Sequence, residues 1–127
     1  MKRMHFLSCV LLFATLATTE ALADDQNTAL RKCITYNFES GNNGAMIIKN
    51  NCNAPLNVIA LGYDGSSLGQ VKNLKPRESR STGADRSNFK EAGGVLIAAC
   101  QSDHVATDAS GNQWGKPNEN YQCALAH

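Results

Sequence analysis

Past an apolar opening, the chain breaks into short hydrophobic runs separated by turn residues, and no stripe with a 3.6-residue period persists over twelve positions. Residues 33–38 (C-I-T-Y-N-F) are rich in β-branched and aromatic side chains and predict a strand. Ser40-Gly41-Asn42-Asn43-Gly44 follows as a turn, since Asn and Gly tolerate positive φ. Residues 45–49 (A-M-I-I-K) and 56–61 (L-N-V-I-A-L) predict the next strands, Tyr63-Asp64-Gly65-Ser66 a hairpin turn, and residues 68–74 the returning strand. Residues 75–94 carry Pro76, Gly83, Gly93 and Gly94 and predict irregular chain, apart from a turn of helix over 86–91 with Asp85 as N-cap. Residues 95–100 (V-L-I-A-A-C) are the most apolar and predict a central, buried strand. Asp108-Ala109-Ser110-Gly111-Asn112 predicts another hairpin turn, and residues 121–124 a last strand. Short strands about ten residues apart, punctuated by Gly, Asn and Pro, imply an all-β fold, a small antiparallel β-sandwich or barrel.

The opening segment has a different character. Lys2 and Arg3 precede a short apolar run ending near Leu16, and Ala21-Leu22-Ala23 supplies a small-x-small cleavage site. That is the pattern of a signal peptide over residues 1–23, and the run is too short to span a bilayer. Removing 23 of the 127 residues leaves 104, one secreted domain over residues 24–127. Cleavage takes Lys2, Arg3 and Glu20, so twelve basic and eleven acidic residues become ten of each. A neutral domain has no general footprint for nucleic acid or an anionic membrane, and no membrane insertion is expected after cleavage. Cys9 lies inside the leader, where Phe6-Leu7-Ser8 fits a lipoprotein box poorly.

Cys33, Cys52, Cys100 and Cys123 remain, with three possible connectivities. Residues facing each other across a hairpin share a constant index sum. A turn centred on Asn42-Asn43 sets Cys33 opposite Cys52, and one centred on Gly111-Asn112 sets Cys100 opposite Cys123. This favours the bridges Cys33–Cys52 and Cys100–Cys123, each closing a loop of about 20 residues. No C-x-x-C spacing or nearby histidine suggests redox chemistry or zinc, and no metal or other cofactor is expected.

Candidate chemistry is sparse. His104 follows Asp103, but neighbouring strand residues point to opposite faces, and no serine sits in a G-x-S-x-G elbow. His127 ends the chain. The Asp108 turn lacks the glutamate of a calcium loop. Residues 72–90 carry Lys72, Lys75, Arg77, Arg80, Arg86 and Lys90 against Glu78 and Asp85, a local excess of four positive charges. Such a segment is either a solvated loop or a contact surface for an acidic partner or an anionic polysaccharide. Tyr63 and Trp114 are the available aromatic anchors for a binding face, although a lone Trp beside a hairpin more often roofs a thin core.

The run Ile47-Ile48-Lys49-Asn50-Asn51-Cys52-Asn53-Ala54-Pro55-Leu56-Asn57-Val58, with Leu74-Lys75-Pro76 and residues 95–100, resembles small exported bacterial disulfide-bonded β-domains with an N-x-C-x-x-P-h-x-V pattern. The likeness covers the middle two-thirds of the processed chain. Because those domains are mostly of unassigned function, it implies a fold and a compartment but no site. The expectation is a periplasmic or secreted, non-enzymatic binding module. It would recognise a protein or cell-envelope glycan through Tyr63, Lys75, Arg77, Arg80 and Trp114. The alternative is an inhibitor of a secreted hydrolase, such as lysozyme or a protease, and a third is a small toxin or hydrolase using Asp103 and His104.

Overall fold

The structure, a computed structural model, describes residues 27–126. The leader over 1–23, Cys9 and His127 lie outside the described residues. Helix α1, described over residues 27–32, leads into strand β1 (Ile34–Phe38). Then come β2 (Ala45–Asn50), β3 (Leu56–Gly62), β4 (Ser67–Leu74), β5 (Ser79–Asp85), helix α2 (Arg86–Ala92), β6 (Val95–Gln101), β7 (His104–Thr107) and β8 (Gln122–Leu125). β1 to β6 form one antiparallel sheet in the order β1-β2-β5-β4-β3-β6, curled into a half-barrel, and β7 and β8 form a second, smaller sheet. Because β2 pairs with β5 rather than β3, strands β2 to β5 make a Greek key.

The concave core collects Ile34, Met46, Ile48, Leu56, Val58, Val71, Leu74 and Ala99. Behind β3 and β6, Ile59, Leu61, Ala98 and Cys100 pack against Ala106, Trp114 and Tyr121 from the small-sheet layer. β3 is therefore covered on both faces, which explains why its sequence runs nearly continuously apolar instead of alternating.

β5 corrects the expectation of irregular chain over 75–94. Its sequence S-R-S-T-G-A-D buries only Thr82 and Ala84, and its place in the sheet comes from pairing with β2 and β4, not from an apolar pattern. β4 touches β5 closely at Gly69 (φ +123°), opposite Gly83, where a Cβ would run into the Thr82 carbonyl. The short helix is as expected. Asp85 Oδ1 accepts from Asn88 N and Asn88 Oδ1 from Asp85 N, both at 2.9 Å, and Gly93 (φ +80°) closes the other end.

β6 is an edge strand, correcting its expected central place. It is apolar on both faces because the core lies on one side and the small sheet on the other. Both expected disulfides are present, for reasons that differ from the index sums. The β1–β2 ladder pairs Ile34 with Asn50 and Phe38 with Met46, joined by a longer loop than a two-residue Asn42-Asn43 turn, and Cys33–Cys52 closes just beyond its end. Cys100 and Cys123 are not ladder partners at all. β6 pairs with β3 and β8 with β7, so their bridge staples one sheet to the other. Two disulfides point to folding in an oxidising, extracytoplasmic environment. Among the described residues, no helix is long and apolar enough to cross a membrane.

Candidate functional site

The residues expected to form a binding face do not come together. Tyr63 stands at the tip of the β3–β4 hairpin, 57% exposed. Lys75 lies beyond the far end of β4, eight residues and roughly 27 Å along the sheet. Trp114 is not a surface anchor. It is 3% exposed in the second core, with its indole N–H donated to the Glu119 carbonyl at 2.8 Å. Burying the ring completes the thin layer over β3 and β6, which outweighs any role for it outside.

Arg77, exposed, and Arg80, half-buried, lie along the surface and bond to backbone carbonyls. Arg77 Nη1 donates to the carbonyls of Asn51 and Cys52, and Nη2 to Asn53 Oδ1 at 3.2 Å. Arg80 Nη1 donates to the Lys72 carbonyl at 2.7 Å, while Nη2 meets Glu78 Oε1 at 2.8 Å. Glu78 also accepts from the Lys75 N–H at 2.9 Å. That backbone hydrogen bond, followed by the one from Arg80, holds its carboxyl below the usual carboxylate range. The loop is thus braced by the cations the sequence suggested were free for a partner. Lys75 alone of the three extends into solvent without such a bond.

Asp103 and His104 do meet, with Nδ1 2.7 Å from Oδ1, because Asp103 belongs to the turn before β7 and escapes the strand alternation. The bond to His104 is the main cause of a lowered Asp103 pKa. Among the described residues no serine hydroxyl bonds to the His104 ring, so the pair lacks the nucleophile of a triad. No group of three or more His, Cys, Asp or Glu able to hold a metal occurs among the described residues.

Among the described residues, one concavity lies on the outer face of β1, β2 and β5. It has a volume of about 430 Å³. Register builds it. Thr35 lies opposite Lys49 and Lys49 opposite Ser79, while Asn37 lies opposite Ile47. These positions face outward because Met46, Ile48 and Asn50 take the buried alternation of β2. Glu39 and the edge of β1 at Tyr36 and Phe38 complete the lining, the two rings themselves lying on the core-side face opposite buried Ile48 and Met46.

That edge is firm. Phe89 of α2 packs against Phe38 with centroids 5.1 Å apart and against Tyr36 at 5.7 Å. The Arg86 guanidinium lies 5.4 Å from the Phe38 ring centre and donates to the Gly41 and Glu39 carbonyls. Tyr36 is still 45% exposed. The Tyr36 and Phe38 rings share the core-side alternation of β1 with Ile34, so this aromatic cluster stiffens the strand from behind while Thr35, Asn37 and Lys49 present hydroxyl, amide and ammonium groups on the other face. Sequence reasoning passed over these residues. The alternation in I-T-Y-N-F could have placed Thr35 and Asn37 on one face, but Ser79 belongs to a strand with no apolar signal.

The chain matches no family model, no curated protein and no solved structure.

Proposed function

We propose that this is a periplasmic or secreted, non-enzymatic binding module, released by cleavage after Ala23, that recognises a cell-envelope glycan or a protein through the outer face of β1, β2 and β5. The observation that carries this reading is the trough of about 430 Å³ whose face presents Thr35, Asn37, Ile47 and Ser79 and is crossed by the exposed Lys49. Its size falls within the range of ligand sites, and its walls stand on paired strands instead of loops. Two disulfides and the aromatic buttress would keep the face preorganised, which lowers the ordering cost of binding.

The test is retention of solubilised envelope polysaccharide and envelope protein fractions on the immobilised, disulfide-intact protein. Retention by the wild type that is lost in Asn37→Ala and Lys49→Glu supports the reading. Equal retention by all three, or none by any, refutes it.

A second reading, an inhibitor of a secreted hydrolase, is favoured by the loop from Lys75 to Arg80, which projects exposed Lys75 and Pro76 from a base clamped by Arg77 and Arg80. Titration against a panel of lysozymes and proteases separates it from the first. Inhibition abolished by Lys75→Ala and untouched by Lys49→Glu belongs to the inhibitor.

A further inference from the structure

The two edges of the main sheet are not equally protected. At the β6 edge the Tyr121 hydroxyl lies 3.3 Å from both the nitrogen and the carbonyl oxygen of Ala99, and the Cys100–Cys123 bridge holds the small sheet beside it. β1 forms the other edge and pairs with β2 alone. The Asn51 N–H donates to the Cys33 carbonyl at 2.8 Å and the Glu39 N–H to the Ala45 carbonyl at 2.9 Å, so the odd-numbered residues of β1 turn their backbone groups toward β2. The backbone groups of Ile34, Tyr36 and Phe38 therefore point out of the edge. On that side Asn37 Oδ1 accepts from the Phe38 N–H at 2.9 Å.

We infer that β1 pairs with β1 of a second copy of this chain, antiparallel and centred on Tyr36. The strand lacks the usual guards of an exposed edge, since I-T-Y-N-F contains no charge and no proline. It is also self-complementary. Tyr36 meets the partner's Tyr36 and Ile34 meets the partner's Phe38, with outward backbone groups on both sides. The half-exposed Tyr36 ring then lies beside its twin, and Thr35 beside the partner's Asn37, with no like charges opposed. The nearest charges complete the match. Lys32 ends α1 and Glu39 follows β1, both are exposed, and neither is in an ion pair among the described residues. Antiparallel pairing brings each beside its opposite on the partner, a match at both ends that an unrelated extended peptide has no reason to make. Asn37 limits the strength, because its hold on the Phe38 N–H competes with the partner's Ile34 carbonyl. With the β6 edge covered, association closes at a two-fold dimer.

The test is sedimentation equilibrium of the oxidised protein. The wild type is expected to dimerise, and Asn37→Val to dimerise at least about tenfold more tightly, as the freed N–H gains a bond at each end. Glu39→Lys is expected to weaken the dimer about tenfold by opposing like charges, and the exchange of Lys32→Glu with Glu39→Lys to restore it. Tyr36→Pro is expected to abolish dimerisation and keep the β1–β2 ladder, because the N–H it removes points outward. A monomer in both wild type and Asn37→Val overturns the inference. So does a dimer that persists in Tyr36→Pro, ignores Glu39→Lys or is not restored by the exchange. Growth beyond a dimer overturns it too, and should Tyr36→Pro fail to fold, the charge exchange decides.

Discussion

Asn50, at the end of β2, donates its side-chain amide to the Leu74 carbonyl at 2.8 Å, tying together segments 24 residues apart. The same NH₂ reaches the Ala54 carbonyl at 2.8 Å, and Oδ1 accepts from Cys52 N at 2.8 Å. Asn50 is fully buried, and this set of bonds fixes the crossover from β2 to β3 on which the Greek key depends.

Asn50→Ala should therefore destabilise the protein by about 3 kcal/mol, because it leaves buried backbone groups unpaired. Asn50→Asp should also lose stability near neutral pH, since a carboxylate cannot donate to either carbonyl. Urea denaturation of both variants checks this.

Replacing Cys100 and Cys123 together by Ser should cost about 3 kcal/mol by loss of a 23-residue cross-link. The larger consequence is local. Backbone amides of β7 and β8 should lose hydrogen-exchange protection while β1 to β5 keep theirs, because this bridge joins the two sheets. Loss of Cys33–Cys52 should leave the β7–β8 pattern unchanged, since that bridge lies at the end of an intact β1–β2 ladder.

Arg77 holds φ +68° and also clamps the 51–53 segment. Arg77→Gly should relieve the backbone and lose only the clamp, so it should be more stable than Arg77→Ala by about 1 kcal/mol. Thermal unfolding compares them. Affinity measured on folded protein should be the same in both, because both lose the same clamp on the 51–53 segment and position 77 does not line the trough.

Stability should fall at both ends of the pH range. Glu78 and Asp64 have depressed folded-state pKa values, Glu78 chiefly through the Lys75 N–H and Asp64 chiefly through the Ser66 hydroxyl. Their contribution is complete above the unfolded carboxylate pKa of about 4 and is lost as pH drops through the lower folded values. Tyr121 behaves in the opposite sense. Burial raises its pKa, outweighing the bond to Ala99, so the folded protein keeps a proton that the unfolded chain releases above about pH 10. Stability should decline there, and Tyr121→Phe should flatten that alkaline decline. It should also lower stability at neutral pH by about 1–3 kcal/mol, because the hydroxyl serves both the N–H and the carbonyl of Ala99 on the β6 edge. Melting curves across pH for wild type, Glu78→Gln and Tyr121→Phe measure both limbs.

Several features were legible in the chain because their causes are local. Asp-Gly at residues 64–65 turns the β3–β4 hairpin, and Asp85 with Asn88 caps α2. Runs of Ile, Val and Leu predicted β2, β3 and β6 because a pleated surface buries such side chains well. The cysteine pairing was right, although the geometry assumed for Cys100 and Cys123 was not.

What tertiary structure alone decided is which surfaces became available. β5 has almost no apolar signal and exists because β2 and β4 supply its hydrogen bonds. Its arrival sets Ser79 beside Lys49 and completes the trough. Trp114 looked like an anchor and became core, because a ring next to a turn goes inward when a bare sheet face lies beneath it. Arg77 and Arg80 looked free until the fold brought carbonyls from distant segments within their reach. Local propensity acts within a few residues, whereas burial and hydrogen-bond completion depend on which distant strands meet.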